Sequence, residues 1–414
     1  MASKLLATTL AFAATALAGS KHQPLTFRND GTFKISILED LHYGEAESSW
    51  GALQDSLTTR TVAYLLEAEP NPDLVVINGD LLSRDAIYPN STNYVDQILS
   101  PLLERNLTWA SLHGNHDAGF NRSVEDLFAA EARHPGSRTR FMPPGLDPQQ
   151  VGVTNYYLPV FGADCPTGCG CAPELLLWFF DSRGGFAYQQ LDAKGARVPW
   201  PNWVDDRVVA WFEAESARIT RKFGKVIPAV TFVHIPVHAF TAITEGPGLD
   251  PQRNPGINDL ASTAQANGWC ADGSKNSSCA HGGQDIPFMR AISNAPGMLG
   301  MFSAHIHGTS WCYKWTAESL PGYVVTPKKE GLNICYGQHT GYGGFGDWER
   351  GARQVVVSRE GMAKGELNTW IRLESGEVVG KVSLNATYGQ DIYPASPNRK
   401  TYCKECGDVE APAS

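Results

Sequence analysis

Residues 74–80 read LVVINGD, an apolar run that ends in Asn-Gly-Asp. The continuous apolar stretch from Leu74 to Ile77 is typical of a parallel strand that is buried on both faces. Gly79 permits a sharp turn after this strand and brings the carboxylate of Asp80 to the strand's carboxyl end. Open α/β sheets place their functional sites at that end. The stretch therefore predicts an α/β fold with a site that begins at Asp80.

The preceding and following segments repeat this arrangement. Residues 33–38 predict a strand that ends just before Asp40, and residues 109–112 predict a strand that ends just before Gly114. Two helices are predicted between the strands, one over 52–68 and one over 93–105 that is interrupted or redirected at Pro101. The first 120 residues are thus predicted as β-α-β-α-β.

The rest of the chain is predicted to complete one domain over residues 24–390. Residues 241–285 are rich in Gly, Pro, Asn and Ser and predict a long insertion that borders the site. Residues 391–414 predict a polar tail. Further strands are predicted at 158–161, 175–180, 226–233, 298–303, 354–357, 370–373 and 378–384, with a helix at 206–223.

Length and charge exclude some classes of protein. The chain has 414 residues, 42% of them hydrophobic and 19% charged, and a formal net charge of -9. This is enough for a large core, as one domain with insertions or as two modest domains. No run of Lys and Arg stands out, which argues against general nucleic-acid binding and leaves room for a local basic patch in a cleft.

The N-terminus has the features of a signal peptide, predicted over residues 1–18. Lys4 gives a positively charged start, residues 5–17 form an apolar run, and Ala16-Leu-Ala18 matches a cleavage pattern. The alternative, a membrane anchor, is disfavoured because the run is shorter than the roughly 20 residues of a spanning helix. We therefore expect a protein without a membrane span that is secreted, or that stays in the secretory pathway, the vacuole or the cell wall.

Glycosylation sequons and cysteines support the same location. Five N-x-S/T sequons occur, at Asn90, Asn106, Asn121, Asn276 and Asn385. The nine cysteines predict local disulfides in an oxidising compartment, although spacing alone does not fix their connectivity. The pairs expected are Cys270 with Cys279, Cys312 with Cys335 and Cys403 with Cys406; one cysteine of the group Cys165, Cys169 and Cys171 is then free or pairs elsewhere. A redox or zinc role for Cys403-x-x-Cys406 is the weaker alternative, because no βαβ unit surrounds it.

Seven side chains of metal-binding type follow the predicted strands in five motifs. These are Asp40-x-His42, Gly79-Asp80, Gly114-Asn115-His116-Asp117, His234 and His305-x-His307. In D-x-H and H-x-H, alternate side chains of an extended segment point to the same side and can bind one ion. Mixed Asp, Asn and His ligands suit transition metals better than calcium, which prefers oxygen alone. Each motif also has an ordinary structural interpretation, such as a buried histidine or a turn, so the specificity lies in the series.

In this order the motifs resemble the pattern of the calcineurin-like metallophosphoesterase superfamily, which is D-x-H, G-D, G-N-H-D/E, a lone His and G-H-x-H. The resemblance covers about residues 30–360. Residues 335–346 (CYGQHTGYGGFG) and 348–353 (WERGAR) are similar to a secreted fungal and plant branch that is called purple-acid-phosphatase-like or Dcr2-like. The resemblance implies an α/β fold, with a β-sandwich core built on the βαβαβ unit and flanked by helices.

The resemblance also implies a mechanism. One metal ion would be held by Asp40, His42, Asp80 and His307, and a second by Asp80, Asn115, His234 and His305. The ions would be divalent or mixed-valence transition metals, Fe, Zn or Mn, and a bridging hydroxide would attack phosphorus in line. His116 would stabilise or protonate the leaving side, and Asp117 is expected to pair with His116 and orient its ring.

Three positions depart from the family pattern. Ala304 replaces the first Gly of G-H-x-H, a small change that should preserve metal ligation. No tyrosine follows Asp80 closely, so the violet colour of ferric purple acid phosphatases is not expected. His238, four residues after the lone histidine, is either a substrate contact or a loop histidine.

Several functions fit these motifs. The leading expectation is a secreted phosphomonoesterase. The alternatives are a phosphodiesterase on a nucleotide, a nucleic acid or a lipid headgroup, and a pseudoenzyme that binds a phospho-ligand. The glycines of residues 341–346 predict a tight turn beside the site rather than a nucleotide P-loop, because no Gly-Lys-Ser/Thr follows. Arg350 and Arg353 are expected in surface ion pairs, with a phosphate contact as the alternative.

Overall fold

A computed structural model describes residues 23–84, 93–165 and 170–401, together with Cys403, Glu405 and Cys406. Four features predicted from the sequence lie outside the described residues. These are the signal peptide, the sequon asparagine Asn90, Cys169 and the end of the polar tail.

The described residues form strands and helices that alternate along the chain. The strands are β1 (Leu25–Thr26), β2 (Thr32–Leu38), β3 (Leu74–Asn78), β4 (Trp109–Leu112), β5 (Tyr156–Phe161), β6 (Leu175–Phe180), β7 (Phe186–Leu191), β8 (Arg197–Pro199), β9 (Ala229–Val233), β10 (Met298–Ser303), β11 (Cys312–Trp315), β12 (Leu332–Tyr336), β13 (Gly351–Ser358), β14 (Leu367–Leu373) and β15 (Val378–Leu384). The helices are α1 (Gly51–Ala68), α2 (Asn93–Glu104), α3 (Val124–Ala132), α4 (Pro148–Val151), α5 (Asp206–Phe223), α6 (His238–Glu245), α7 (Ile286–Asn294) and α8 (Arg359–Ala363).

Two large sheets dominate the structure. One has seven strands in the order β1-β5-β6-β9-β10-β12-β11, and the other has six in the order β15-β14-β13-β2-β3-β4. Within the six-stranded sheet, β2, β3 and β4 are adjacent and parallel, and α1 and α2 connect them. The predicted β-α-β-α-β unit is therefore confirmed, as is the α/β fold class.

The apolar pattern of β3 explains how the sheets are covered. Leu74 and Val76 point into the core between the two sheets, while Val75 and Ile77 point to the opposite face. That opposite face packs against α1, α2 and α3, and the outer face of the seven-stranded sheet packs against α5, α6 and α7. A strand between two apolar layers needs apolar residues at every position, which is the pattern seen in the sequence. In the described part of the chain, no helix combines the length and the apolar character needed to cross a membrane.

At two prolines the helix and strand bounds differ from those that the sequence predicts. Pro101 does not interrupt the second helix, because α2 continues through it to Glu104. Proline lacks the amide that would donate to the carbonyl of Gln97, and the hydroxyl of Ser100 donates to that carbonyl at 2.8 Å instead. The strand expected from residue 226 begins only at Ala229, directly after Pro228.

Disulfides join the local pairs that the sequence predicts. Cys270–Cys279, Cys312–Cys335 and Cys403–Cys406 are all formed, and Cys165 pairs with Cys171. The Cys312–Cys335 bond links directly opposite residues of the antiparallel strands β11 and β12. It thereby fixes the segment after His307 to the segment before the glycine-rich turn. The carbonyl of Cys406 accepts a hydrogen bond from Gln54 on α1 at 3.0 Å, so this end of the chain packs on the domain.

Arg353 is buried, and the prediction of a surface ion pair is wrong. Its guanidinium donates to the carbonyls of Tyr336 and Ser310 at 2.6 Å each and to the hydroxyl of Thr369 at 3.0 Å. Arg353 lies on β13 of the six-stranded sheet, whereas Tyr336 lies on β12 of the seven-stranded sheet. The side chain therefore joins the two layers of the sandwich. Burial lowers the pKa of Arg353 to about 10.

Arg350 is also buried rather than paired at the surface. Its guanidinium donates to the carbonyl of Trp348 at 2.6 Å and to that of Gly346 at 2.8 Å. Both carbonyls belong to the segment that contains or follows the glycine-rich turn. The structure thus assigns both arginines to internal hydrogen bonds with the backbone.

We predict that Arg353→Met lowers the free energy of unfolding by about 3 kcal/mol, because two buried carbonyls lose their donor. Chemical denaturation measures this change. The matched control is Arg359→Met, since Arg359 is exposed and forms an ion pair with Glu174 at 2.6 Å. The control should change stability by less than about 1 kcal/mol. Equal effects of the two substitutions would show that Arg353 has no special role in joining the sheets.

Candidate metal centre

The seven side chains predicted as metal ligands all follow the carboxyl ends of strands. Asp40 and His42 follow β2, Asp80 follows β3 and Asn115 follows β4, all in the six-stranded sheet; His234 follows β9, and His305 and His307 follow β10, both in the seven-stranded sheet. The candidate site therefore lies where one edge of the sandwich brings the ends of both sheets together.

Asp40, His42 and His307 form a first group whose nitrogen and oxygen atoms could hold a metal ion. Nε2 of His42 lies 3.1 Å from Nε2 of His307. The carboxylate oxygen Oδ1 of Asp40 lies 4.0 Å from the former and 3.8 Å from the latter. These three potential ligand atoms lie close enough together to bind one metal ion.

Asp80, His234 and His305 form a second such group. Oδ2 of Asp80 lies 3.1 Å from Nε2 of His234, and it also lies 3.7 Å from Nε2 of His42 in the first group. Asp80 is therefore the carboxylate that reaches both groups. A two-metal centre needs a shared carboxylate in this position.

Asn115 lies beside Asp80, because the residues before and after it in the chain, Gly114 and His116, both lie against the Asp80 carboxylate. The backbone N–H of His116 donates to Oδ1 of Asp80 at 2.7 Å. On the other side, a Cβ atom added to Gly114 would lie 2.2 Å from the same oxygen, so only glycine fits there. Oδ1 of Asn115 is buried and has no hydrogen-bond partner among the described residues.

The unpartnered oxygens fit a metal site. Oδ1 of Asp40, like that of Asn115, is buried and has no hydrogen-bond partner among the described residues. Buried polar atoms usually have a partner, and a bound metal ion would supply one for both oxygens. Nδ1 of His234 contacts the carbonyl of Asn78 at 2.9 Å, and Nδ1 of His307 contacts that of Phe345 at 2.8 Å. These contacts place a ring proton on Nδ1 of both residues, and Nε2 of His307 keeps its lone pair, as is usual for metal-binding histidines. Burial of His234 is outweighed by the carboxylates of Asp80 and Asp40, which raise its pKa to about 10, so its Nε2 carries a proton that a bound metal ion would displace.

The charge state of the groups also fits metal binding. Burial and the charge of His234 lower the pKa of His305 to about 3, and burial lowers that of His307 to about 3. Both rings are therefore neutral, which is the form that ligates metals. Burial opposes ionisation of Asp80, but the positive charge on His234 and its hydrogen bond to the carboxylate outweigh burial and hold the pKa of Asp80 well below its usual range. A buried anionic cluster of this kind is stabilised by a cation.

The backbone at the site is unusual. Asp40, His42, Asp80 and His305 have positive φ angles of 53°, 50°, 50° and 75°. Non-glycine residues rarely adopt this left-handed conformation, and when they do they cluster at functional sites. The carbonyl of Asp80 accepts hydrogen bonds from the backbone N–H groups of Leu41 and His42 at 2.9 and 3.0 Å, so the two turns support each other.

His116 lies beside both groups. Its ring meets that of His42 edge-on, with the ring centres 4.7 Å apart. One of its ring nitrogens lies within 4.8 Å of potential ligand atoms of His42 and Asp80. Burial lowers the pKa of His116 to about 4. The side chain is therefore placed to donate a hydrogen bond at the centre without being one of the seven predicted ligands.

Asp117 does not pair with His116, and that expectation is wrong. Its carboxylate instead accepts hydrogen bonds from the backbone N–H groups of Leu82 at 3.0 Å and Gly114 at 2.8 Å. It therefore ties the turn after β3 to the turn after β4. An effect of Asp117 on a reaction at this site would act through the position of these turns.

His339, for which no role was predicted, packs against a predicted ligand. Its ring stacks on that of His307 with the centres 3.9 Å apart, and the ring of Phe345 stacks on the other side at 4.5 Å. Arg350 contacts Nδ1 of His339 at 3.3 Å. Gly344 must lack a side chain, because a Cβ would lie 2.6 Å from His307. The glycines of residues 341–346 are the sequence feature that could have indicated this close packing beside the site.

His238 belongs to a separate cluster in which side chains satisfy one another. It begins α6, and its Nδ1 lies 2.8 Å from the hydroxyl of Tyr323. Its ring stacks on that of His281 at 3.8 Å, and His281 contacts the carboxylate of Asp285 at 2.7 Å.

Comparisons with known proteins give one family match and several relatives. The family described as calcineurin-like phosphoesterase matches residues 34–308. Probable inactive purple acid phosphatase 14 of Arabidopsis thaliana is 24% identical over 373 residues, which cover 84% of this chain and 82% of that protein. Phosphatase DCR2 of Saccharomyces cerevisiae is 27% identical over 244 residues, which cover 56% of this chain but 39% of that protein. A dimetal phosphatase from Danio rerio superimposes with a TM-score of 0.49 and 11% identity, covering 86% of this chain and 99% of that one.

The resemblance seen in the sequence is thereby confirmed. The family match extends from β2 to the residue after His307 and so includes every predicted ligand. This protein belongs to the calcineurin-like phosphoesterase family.

Proposed function

We propose that this protein is a secreted two-metal phosphoester hydrolase whose preferred substrates are phosphomonoesters. The observation that carries the proposal is the pair of potential ligand groups that share Asp80. In the proposal, Asp40, His42, Asp80 and His307 hold one ion, and Asp80, Asn115, His234 and His305 hold the other. Imidazole, carboxylate and amide ligands suit Fe, Zn or Mn.

Metal ions in such a centre supply a nucleophile from water at neutral pH and neutralise phosphoryl charge. The residues of the chain have separate tasks. His116 donates a hydrogen bond from its ring to the phosphoryl group or to the leaving oxygen. Asp117 holds the turns that carry Asp80 and Asn115 in register. His339 and Phe345 fix the plane of the His307 ring between them.

Two alternatives follow from the same site. A phosphodiesterase would need room and a contact for a second ester group, which the segment of residues 241–285 could provide. A pseudoenzyme is the alternative outside enzymes, and the name of the Arabidopsis thaliana relative includes the words "probable inactive". The presence of all seven predicted ligand side chains argues for activity in this chain. Rates with p-nitrophenyl phosphate and bis(p-nitrophenyl) phosphate, measured together with metal content, separate the three functions.

Secretion is proposed from the disulfides and the sequons. Four disulfides are formed, which favours an oxidising compartment. Asn106, Asn121 and Asn276 are exposed, and exposure is a requirement for an N-glycan acceptor.

We predict that Asp80→Asn and His116→Ala each lower turnover by at least about a hundredfold, for different reasons. Asp80→Asn should also reduce bound metal, because the shared negative charge is lost. His116→Ala should keep wild-type metal content, because His116 is not one of the proposed ligands. Steady-state kinetics and elemental analysis measure both quantities, with His134→Ala as a control away from the site. Wild-type rates in both variants would refute the two-metal assignment.

We predict that Gly79→Ala weakens metal binding by about ten- to a hundredfold. A Cβ at this position would lie 2.5 Å from Nδ1 of His234 and would displace the ring from the carbonyl of Asn78. Gly145→Ala is the matched control, because Gly145 has a similar φ of 97° but nothing within 4 Å of an added Cβ. Metal retained after dialysis should fall only for Gly79→Ala. A similar loss in both variants would assign the effect to backbone strain rather than to His234.

We predict that the mature chain begins close to Gly19 and carries N-glycans at several sequons. Intact-mass measurement before and after enzymatic glycan removal tests this. An unprocessed Met1 together with an unchanged mass would contradict secretion.

A further inference from the structure

Residues 399–401 of the polar tail form a strap along the backbone that follows the glycine-rich turn. Lys400 of the strap lies opposite Trp348 in a short antiparallel pairing. The residues on either side of Lys400 form backbone hydrogen bonds with those on either side of Trp348, from Glu349 to Arg399 at 3.0 Å and from Thr401 to Asp347 at 2.6 Å. Because these bonds flank the pair, it is of the type in which opposing side chains lie closest. The strap therefore brings the side chain of Lys400 onto that of Trp348.

The ammonium group of Lys400 has three partners. Its Nζ lies 2.8 Å from Oδ2 of Asp259, 3.2 Å from Oδ1 of Asp347 and 4.4 Å from the centre of the Trp348 ring. The indole N–H of Trp348 donates to the same oxygen of Asp259 at 2.7 Å. Hydrogen bonds from Lys400 and other neighbours lower the pKa of Asp259 to about 2. Single exposed ion pairs contribute little, but a network with fixed geometry contributes more.

Both Trp348 and Asp259 reach the residue after His307. An added Cβ at Gly308 would lie 2.6 Å from the ring of Trp348, and the backbone N–H of Asp259 donates to the carbonyl of Gly308 at 2.8 Å. Trp348 also meets the ring of Phe345 edge-on, with the ring centres 6.4 Å apart. Phe345 in turn stacks on His307, and its carbonyl contacts Nδ1 of that ring at 2.8 Å. Lys400 thus joins the two segments between which His307 is held.

Loss of the ammonium group would loosen this arrangement. The carboxylates of Asp259 and Asp347 would lose a counter-charge that they share, and like charges at such short range repel. The two segments beside His307 would then be free to separate. Contacts that orient a ligating histidine affect the affinity for a metal ion, because they fix the direction of the lone pair on Nε2.

We propose that the strap positions His307 for metal binding and that Lys400 is its central positioning residue. This inference rests on the proposed two-metal centre and assigns part of its metal affinity to the polar tail. The ion that His307 would hold depends on the strap. The separate ligands of the second ion, Asn115 and His234, follow β4 and β9, which are not among the segments that Lys400 joins.

The test is a calorimetric titration of the metal-free protein with Zn²⁺, for the wild type and for Lys400→Met. We expect the dissociation constant of one ion to rise about three- to tenfold and that of the other to change by less than about twofold. The denaturation midpoint of the metal-free protein should stay the same, since a general loss of structure would lower it. Thr401→Pro removes the backbone donor to Asp347 and should reproduce the selective loss.

The matched control is Arg399→Met. It removes the neighbouring cation of the strap, whose partner Glu377 at 2.7 Å lies in the turn between β14 and β15. This variant should bind both ions like the wild type. Unchanged affinities in Lys400→Met, equal losses for both ions, or the same loss in Arg399→Met would overturn the proposal.

Failure of the proposed function can be told apart from failure of the strap. If the wild-type protein bound no metal, the two-metal assignment would fail, and hydrogen exchange of the metal-free protein would decide the role of Lys400. The backbone N–H of Asp259 should then exchange at least about threefold faster in Lys400→Met than in the wild type or in Arg399→Met. Equal exchange in all three proteins would overturn the positioning role.

Discussion

The site depends on a backbone constraint at the ends of three strands. Asp40, Asp80 and His305 leave β2, β3 and β10 in the left-handed conformation, which turns their side chains into a common space instead of along the strands. This conformation costs about 1–2 kcal/mol for each non-glycine residue, so the surrounding structure must offset it. The carbonyl of Asp80 accepts two backbone N–H groups from the turn after β2, and the backbone N–H of His305 donates to Asp40 at 3.1 Å. The turns therefore hold one another in a conformation that none of them would adopt alone.

The sandwich brings these turns together from different sheets. Asp40 and Asp80 follow strands of the six-stranded sheet, whereas His234 and His307 follow strands of the seven-stranded sheet, so each group of potential ligands draws on both sheets. The distance between the two sheets, and so between these side chains, is set by the apolar layer between the sheets and by buried links such as Arg353. Close packing of an interior transmits small shifts, so a change in the layer spacing would alter the distances between potential ligand atoms. The geometry of the site therefore depends on how the two sheets pack.

The sequence predicts the strands that precede the proposed ligands, because these strands have local apolar patterns, but it does not predict β1, β7, β8, β11 or β12. A continuous apolar run indicates a strand buried on both faces, and a polar residue directly after it indicates where the strand ends. The partners of Asp117 and Arg353 could not be predicted, since these side chains bind backbone atoms that are distant in sequence or carry no residue-specific signal. Backbone acceptors and donors are identical at every residue, so only the three-dimensional structure selects among them.

We propose that two metal ions lie between the two groups of side chains, both of which Asp80 reaches. Anomalous X-ray diffraction from crystals of the protein, purified without chelators, tests it most directly when data are collected on both sides of the Fe, Mn and Zn absorption edges. We expect two anomalous peaks in each chain, about 3.5–4 Å apart, with the Asp80 carboxylate between them. A single peak, or peaks that lie away from Asp80, would contradict it.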